Sequence, residues 1–256
     1  WIASLVDHQG QREITNAGMR AVSVANARLS QALSAVDDLA AQGVSSCAGD
    51  AVERMRAAAF LAPPVKQIAI LAPDGHPLCK DVAGTAGPET LLRSQMVPSK
   101  PGVWLDFVRV SELETMLRLR RPAGAGPNQL AALVPLSLLL PQASMDGGPL
   151  KAYAGIVAGA GVPLGGTGAR PDAADGPILS ATGNSSAFGF DIEIASPRAM
   201  LPAEHAGLRW VGILVSAALV IAVGAFLLLL PKRRANDPVS QIAEALTVHR
   251  TIGRSE

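Results

Sequence analysis

One uncharged hydrophobic run, Trp210 to Leu230, constrains this chain more than any other feature, and Lys232-Arg233-Arg234 follows it at once. About 20 helical residues cross a bilayer core of ~30 Å. Lysine and arginine flanks stay on the cytoplasmic side. The run therefore predicts a transmembrane helix over residues 209–231, with residues 232–256 cytoplasmic and everything before residue 209 outside the inner membrane. The competing reading is a buried helix in a soluble core. The lack of charge and the basic stop argue against it.

The chain has 256 residues, room for one extracytoplasmic domain of about 200 residues and a tail. Net charge is +1, so nothing electrostatic favours a nucleic acid partner. Aromatic residues make up 4%, which leaves the core to leucine, valine, isoleucine and alanine. Only 17% of residues are charged, a composition that suits a partner-covered surface. The sequence opens on Trp1-Ile2-Ala3 with no signal peptide, although the outer domain must be exported. The expectation is a first membrane helix ending at about Trp1, and a further cytoplasmic domain beyond Glu256.

Two cysteines occur, Cys47 and Cys79, both on the expected outer side. An oxidising compartment favours a disulfide between them. The closed loop of about 32 residues would stabilise the fold by roughly 3–4 kcal/mol on the chain-entropy account. Two roles stay open: a permanent staple, or a bond whose reduction alters the domain. Lys80 and His76 flank Cys79, and a nearby cation stabilises thiolate, though both also read as surface residues. Zinc held by the cysteines, His76 and a carboxylate is disfavoured, because no Cys-x-x-Cys spacing exists.

The pattern along the chain is mixed α+β. Leu5 to Ala41 contains no proline and reads as one long helix, with Gly10 and Gly18 its weak points. Val22, Leu29 and Val36, with Ala25, Ala32 and Leu39, form an a/d seam. That seam suits either a membrane-proximal dimer helix or a helix packed on its own domain. Gly43-Val44-Ser45-Ser46 breaks it, so residues 1–42 form the helical segment and 43–208 the outer domain. A second helix is expected from Asp50 to Ala62, stopped by Pro63-Pro64. Val65–Leu71 reads as a strand, Pro73-Asp74-Gly75-His76 as a turn, and Leu78-Cys79 as the return strand. Further strands are expected at Val103–Val110, Leu130–Leu140, Ala152–Ala160, Ile178–Ala181 and Ala187–Ile194. Glu112–Arg121 reads as a short helix and Gly159–Gly176 as a loop. Helices first and a mostly antiparallel sheet afterwards suit a PAS-like or Cache-like sensor. Beyond the membrane run, Asp237-Pro238 opens a linker helix.

A long helix, Cys47, a second helix, the strand Val65–Leu71, the Asp74-Gly75 turn, Cys79, and later a membrane run with a basic linker: this order resembles the CSS-motif sensor domain. The resemblance covers roughly Leu5 to Ser255. It implies a periplasmic domain between two membrane helices, ahead of a cytoplasmic EAL phosphodiesterase domain that hydrolyses cyclic di-GMP. It also implies that Cys47 and Cys79 form a redox-sensitive regulatory disulfide, with the oxidised form less active or more stable. The family motif places two serines after its hairpin cysteine. Here Lys80-Asp81 follow Cys79, and Ser45-Ser46 precede Cys47 instead, so no role passes to serines.

No catalytic constellation is present in the sequence. Glu244-Ala245-Leu246 spells the EAL letters but lacks the preceding Tyr-Gln-Pro strand, and it falls on the linker helix. Gly159-x-Gly161 and Gly165-Gly166 lack a phosphate-loop ending and read as loop glycines. No cofactor is expected in this chain; magnesium or manganese belongs to the absent catalytic domain. Expected partners are the inner membrane, a second copy in a homodimer, and periplasmic thiol-disulfide exchange proteins. Two rival readings are a Cache-type small-molecule receptor with a structural disulfide, and a membrane-anchored envelope interaction protein.

Overall fold

A computed structural model describes residues 2–81, 89–111, 114–140, 152–158, 162–198 and 213–226. The chain divides into two compact units, Trp1–Leu201 and Pro202–Glu256.

The first unit is strung along helix α1, Ile2–Ala41, whose 40 residues reach about 60 Å at 1.5 Å per residue. Its end is set by Gly43, which takes φ 77°. The Val44 N–H donates to Leu39 O and the Gly43 N–H to Ala40 O, a Schellman cap that satisfies the last carbonyls. Helix α2 spans Gly49–Leu61 and ends ahead of Pro63-Pro64. The anticipated a/d seam of α1 is fully used inside its own domain. Ala25, Leu29, Ala32 and Val36 are 0% exposed and Leu39 1%, all within one hydrophobic core. The dimer-helix reading of that seam is thereby corrected: the apolar stripe packs on sheets, so alanine at its d positions permits close approach and need not make a zipper.

Among the described residues, ten strands make two antiparallel sheets. The larger has the order β2-β1-β6-β5-β4-β3. Its strands are β1 (Gln67–Leu71), β2 (Pro77–Lys80), β3 (Thr90–Met96), β4 (Trp104–Arg109), β5 (Thr115–Pro122) and β6 (Gln129–Pro135). A short turn of helix, α3 (Leu136–Leu139), follows β6. The smaller sheet has the order β8-β7-β10-β9, from β7 (Tyr153–Ala158), β8 (Val162–Thr167), β9 (Ile178–Ser185) and β10 (Phe190–Pro197).

Helix α1 touches both sheets, its first half on β9 and β10 and its second half on β5 and β6. At Gly18 and Gly183 the helix and β9 meet backbone to backbone. A Cβ on Gly183 would stand 2.7 Å from Val22 Cγ2 and 2.9 Å from Gly18 O. The apparent weak point Gly18 is therefore the crossing point. Nearby, the Ser185 hydroxyl donates to Asn26 Oδ1 over 2.6 Å, and the Gln11 amide to Ser180 O over 2.8 Å. Farther along α1, Asp37 pairs with Arg121 of β5, and with Lys100 at 3.1 Å. Gln95 and Ser99 reach the β9–β10 turn at Phe188 O, Gly189 O and Ala187 O.

Several expectations need correction. Residues 115–121 are strand β5 and not helix, because Leu117 and Leu119 point to the core while Met116, Arg118 and Arg120 take the other face. Gly165 and Gly166 belong to strand β8 and not to a loop. A Cβ on Gly165 would meet Leu136 Cδ2 at 2.7 Å and Thr115 Cβ at 3.1 Å, so the missing side chain lets the sheets approach. Leu130–Leu140 divides into β6 and α3. Strand β3 had no anticipated counterpart.

In the second unit residues 213–226 are helical, and apolar side chains such as Val220 and Ile221 are 71% exposed. Among the described residues no helix is long and apolar enough to cross a membrane. The rest of the Trp210–Leu230 run, the basic stop, the Asp237-Pro238 linker helix and Glu244-Ala245-Leu246 lie outside the described residues.

Candidate functional site: the Cys47–Cys79 disulfide

Cys47 lies in the short loop between α1 and α2, and its sulfur is bonded to Cys79 of β2, with Cα atoms 5.9 Å apart. The loop reaches this position because both sides of it are anchored. Val44 is buried, and the Asn128 amide donates to Ser45 O over 3.1 Å. Cys79 sits opposite Ile70 on the edge strand and packs against the main core. Cys47 itself is exposed and Cys79 half-buried, so a thiolate in solution can reach the bond.

The bond ties down a helix start that lacks a side-chain cap. The N-cap of α2 is Ala48, which offers no side-chain hydrogen bond to the orphan amides. Asp50 in the first turn complements the helix dipole. The Arg54 guanidinium hydrogen-bonded to Asp50 holds its carboxyl below the usual carboxylate range. A depressed folded pKa stabilises above the unfolded value and is lost as pH falls through the folded one, so this aid to α2 disappears in acid. Arg54 also donates to Gln42 O over 3.2 Å, latching α2 to the end of α1. Ala51 and Met55 are the buried contacts of α2.

On the other side of the bond, Asp81 is 2% exposed and closes the end of β2 onto β1. Its Oδ1 accepts the Ile68 N–H at 3.1 Å, its N–H donates to Ile68 O at 3.0 Å, and its carbonyl accepts Arg56 Nε of α2 at 3.3 Å. A second, non-covalent tie thus joins α2 to β2 beside the covalent one.

Lys80 turns to the opposite face of the sheet. Its Nζ lies 3.6 Å from Glu89, so its charge is compensated and is not directed at sulfur alone. Glu89 in turn accepts Arg118 Nη1 at 3.1 Å. Arg118 donates to Asp106, 0% exposed, at 2.9 Å, and Arg120 Nε donates to the same carboxylate oxygen at 2.8 Å. Ser94 Oγ donates to Asp106 Oδ1 at 2.7 Å, and Arg120 stacks over Trp104 at 5.1 Å. A continuous polar chain therefore leads from the residue after Cys79 across the outer face of the large sheet. None of Glu89, Asp106, Arg118 or Arg120 was singled out in the sequence. The alternation of Arg118-Leu119-Arg120 was the signal that could have shown a two-faced strand.

His76 is exposed at the β1–β2 turn, where its backbone N–H donates to Asp74 Oδ1. With both sulfurs bonded to each other, the zinc reading has no thiolates to use.

A family model described as the CSS motif domain associated with EAL matches residues 11–208. The chain belongs to the CSS-motif family. The match opens inside α1 and runs past the end of β10, so it takes in both sheets and both cysteines. A comparison with curated proteins found no match.

Proposed function

We propose that this CSS-motif chain is the periplasmic redox-sensing region of a membrane-bound cyclic di-GMP phosphodiesterase of the EAL class. The observation that carries the reading is a disulfide, exposed on its Cys47 side, that pins an uncapped helix start to an edge strand. Such a bond is accessible to exchange, and its opening removes a constraint without removing the core. The EAL association of the family supports the enzyme class.

The chemistry balances as thiol-disulfide exchange. A thiolate of a periplasmic exchange protein attacks one sulfur, the other leaves as thiolate, and a second thiol of the donor completes the two-electron reduction. Opening then lets the Cys47 loop and α2 relax against β2, with Arg56–Asp81 remaining as the weaker tie. The loop continues directly from the cap of α1, so a shift there biases the long helix that runs back along both sheets.

The membrane reading is supported by the uncharged Trp210–Leu230 run, its basic stop, and the exposed apolar side chains of helix 213–226. The path of the chain supports it as well. Strand β10 descends toward the start of α1, since Ala195 pairs with Ser180 and Ser180 O accepts Gln11 of α1. Both ends of the sensor thus point the same way, as two membrane helices flanking a periplasmic domain require, and the disulfide lies at the far end. A second copy would pair through the outward side of α1, where Met19 and Val24 are 57% and 43% exposed. Divalent magnesium or manganese would serve the EAL domain.

The test is cyclic di-GMP hydrolysis by the full-length membrane protein under reducing and oxidising conditions. Wild type is expected to change rate between the two conditions, and Cys47→Ser and Cys79→Ser to hold the reduced-state rate in both. A wild-type rate indifferent to redox state overturns the proposal.

A further inference from the structure

The margin of an open sheet carries unpaired N–H and C=O groups, and proteins commonly blunt it with proline, short length or a covering element. Three of the four sheet margins are blunted in this way among the described residues. Strand β2 has four residues and opens on Pro77, β8 contains Pro163, and β9 lies against α1, whose Gln11 amide donates to Ser180 O. Strand β3 is the exception. It closes one side of the large sheet with seven residues, Thr90–Met96, no proline, and only exposed or half-buried positions.

The register fixes which groups face outward. The Val97 N–H donates to Val103 O across the β3–β4 hairpin, and in an antiparallel pair alternate residues turn their amides to the same side. Arg93 and Gln95 therefore bond toward β4, while the N–H and C=O of Ser94 and Met96 point to the open margin. The bulge between Leu91 and Arg93 puts the side chains of Leu91, Ser94 and Met96 on one face, beside Val108, Asp106 and Trp104. Leu91 and Met96 are 53% and 54% exposed, and Trp104, opposite Met96, is 38% exposed, so an apolar fringe follows the margin. On the other face Arg93 is exposed and makes no ion pair or hydrogen bond among the described residues. No acid occurs between Thr90 and Met96 to serve it.

We propose that the open margin of β3 receives an extended segment of a partner protein as an added strand, one that alternates apolar and acidic residues. Its backbone pairs with the N–H and C=O of Ser94 and Met96, its apolar side chains lie beside Leu91 and Met96, and a carboxylate pairs with Arg93. A second copy of β3 offers no such match, because it presents another Arg93 and no acid. The site lies at the opposite side of the sheet from Cys79 of β2, so it gives the domain a partner contact separate from the disulfide.

The test uses the full chain in detergent and a fluorescent, end-blocked peptide that alternates valine and glutamate, read by anisotropy and by amide hydrogen exchange. One control carries lysine in place of glutamate. The other is N-methylated at its valines, the residues that stand opposite Ser94 and Met96, so its backbone cannot donate to β3. The valine–glutamate peptide is expected to bind saturably, to slow exchange in Thr90–Met96, and to bind about tenfold or more tightly than either control. Arg93→Glu is expected to reverse the preference between the glutamate and lysine peptides, and its exposed position should leave Tm unchanged. Met96→Asp is expected to weaken binding of the glutamate peptide tenfold or more. No saturable binding, equal binding of the N-methylated peptide, or a glutamate preference that survives Arg93→Glu overturns the proposal. Protection of Thr90–Met96 that rises with protein concentration in the absence of peptide also overturns it, by assigning the margin to a second copy.

Discussion

At the residue scale, two kinds of side chain carry the account, and they differ in how openly the sequence displays them. Cys47 and Cys79 are conspicuous because there are only two cysteines, and the disulfide joins them. Closing a separation of 32 residues, it restricts the unfolded chain by about 3–4 kcal/mol on the entropy model. The unfolding free energy from denaturant titration should therefore drop for Cys47→Ser by that amount, with an unchanged core. Asp106 was not legible at all. A carboxylate on a strand normally faces water, and only the tertiary fold reveals that Arg118, Arg120 and Ser94 converge on it. Asp106→Ala leaves Arg118 buried and short of its partner, and such losses cost about 3–5 kcal/mol. A variant melting within a degree of wild type would show that the network is dispensable.

At the element scale, the helices were readable and the strands only partly so. Helix α1 shows a helical repeat of apolar residues from Val22 to Leu39 and stops ahead of Gly43, a glycine with positive φ, so its C-terminal border follows from local chemistry. Its packing partner did not follow, since a seam of valine, leucine and alanine suits a sheet as well as another helix. Residues 115–121, expected as part of a short helix, form a strand between two others of the large sheet, and that pairing is long-range and leaves no local signal. Glycines misled in a similar way. Gly165, Gly166 and Gly183 sit inside strands because leucine, tyrosine and helix α1 press on them, a cause invisible in sequence. Gly183→Val forces α1 off β9, and overpacking of this kind costs about 1–3 kcal/mol. The checking measurement is the melting temperature, with restoration expected when Val22→Ala opens space for the new side chain. Failure of Val22→Ala to restore any stability would place the strain elsewhere.

At the scale of the sensor unit, one long helix connects the sulfur bridge to the end where β10 finishes beside the first turns of α1. About 60 Å separates the ends of α1, so the bridge acts on the interior only through that helix and the sheets it carries. The physical requirement is a local element that changes while the scaffold stands. Helix α2 fits: it has no side-chain cap, two buried residues, and a start secured by Cys47. The measurement that tests this most directly is amide hydrogen exchange of the full chain, oxidised against reduced. Reduction is predicted to speed exchange in Gly49–Leu61 and the Cys47 loop by an order of magnitude or more, with β1 and β6 unchanged. Equal protection of α2 in both states would contradict the claim that opening the bridge releases it.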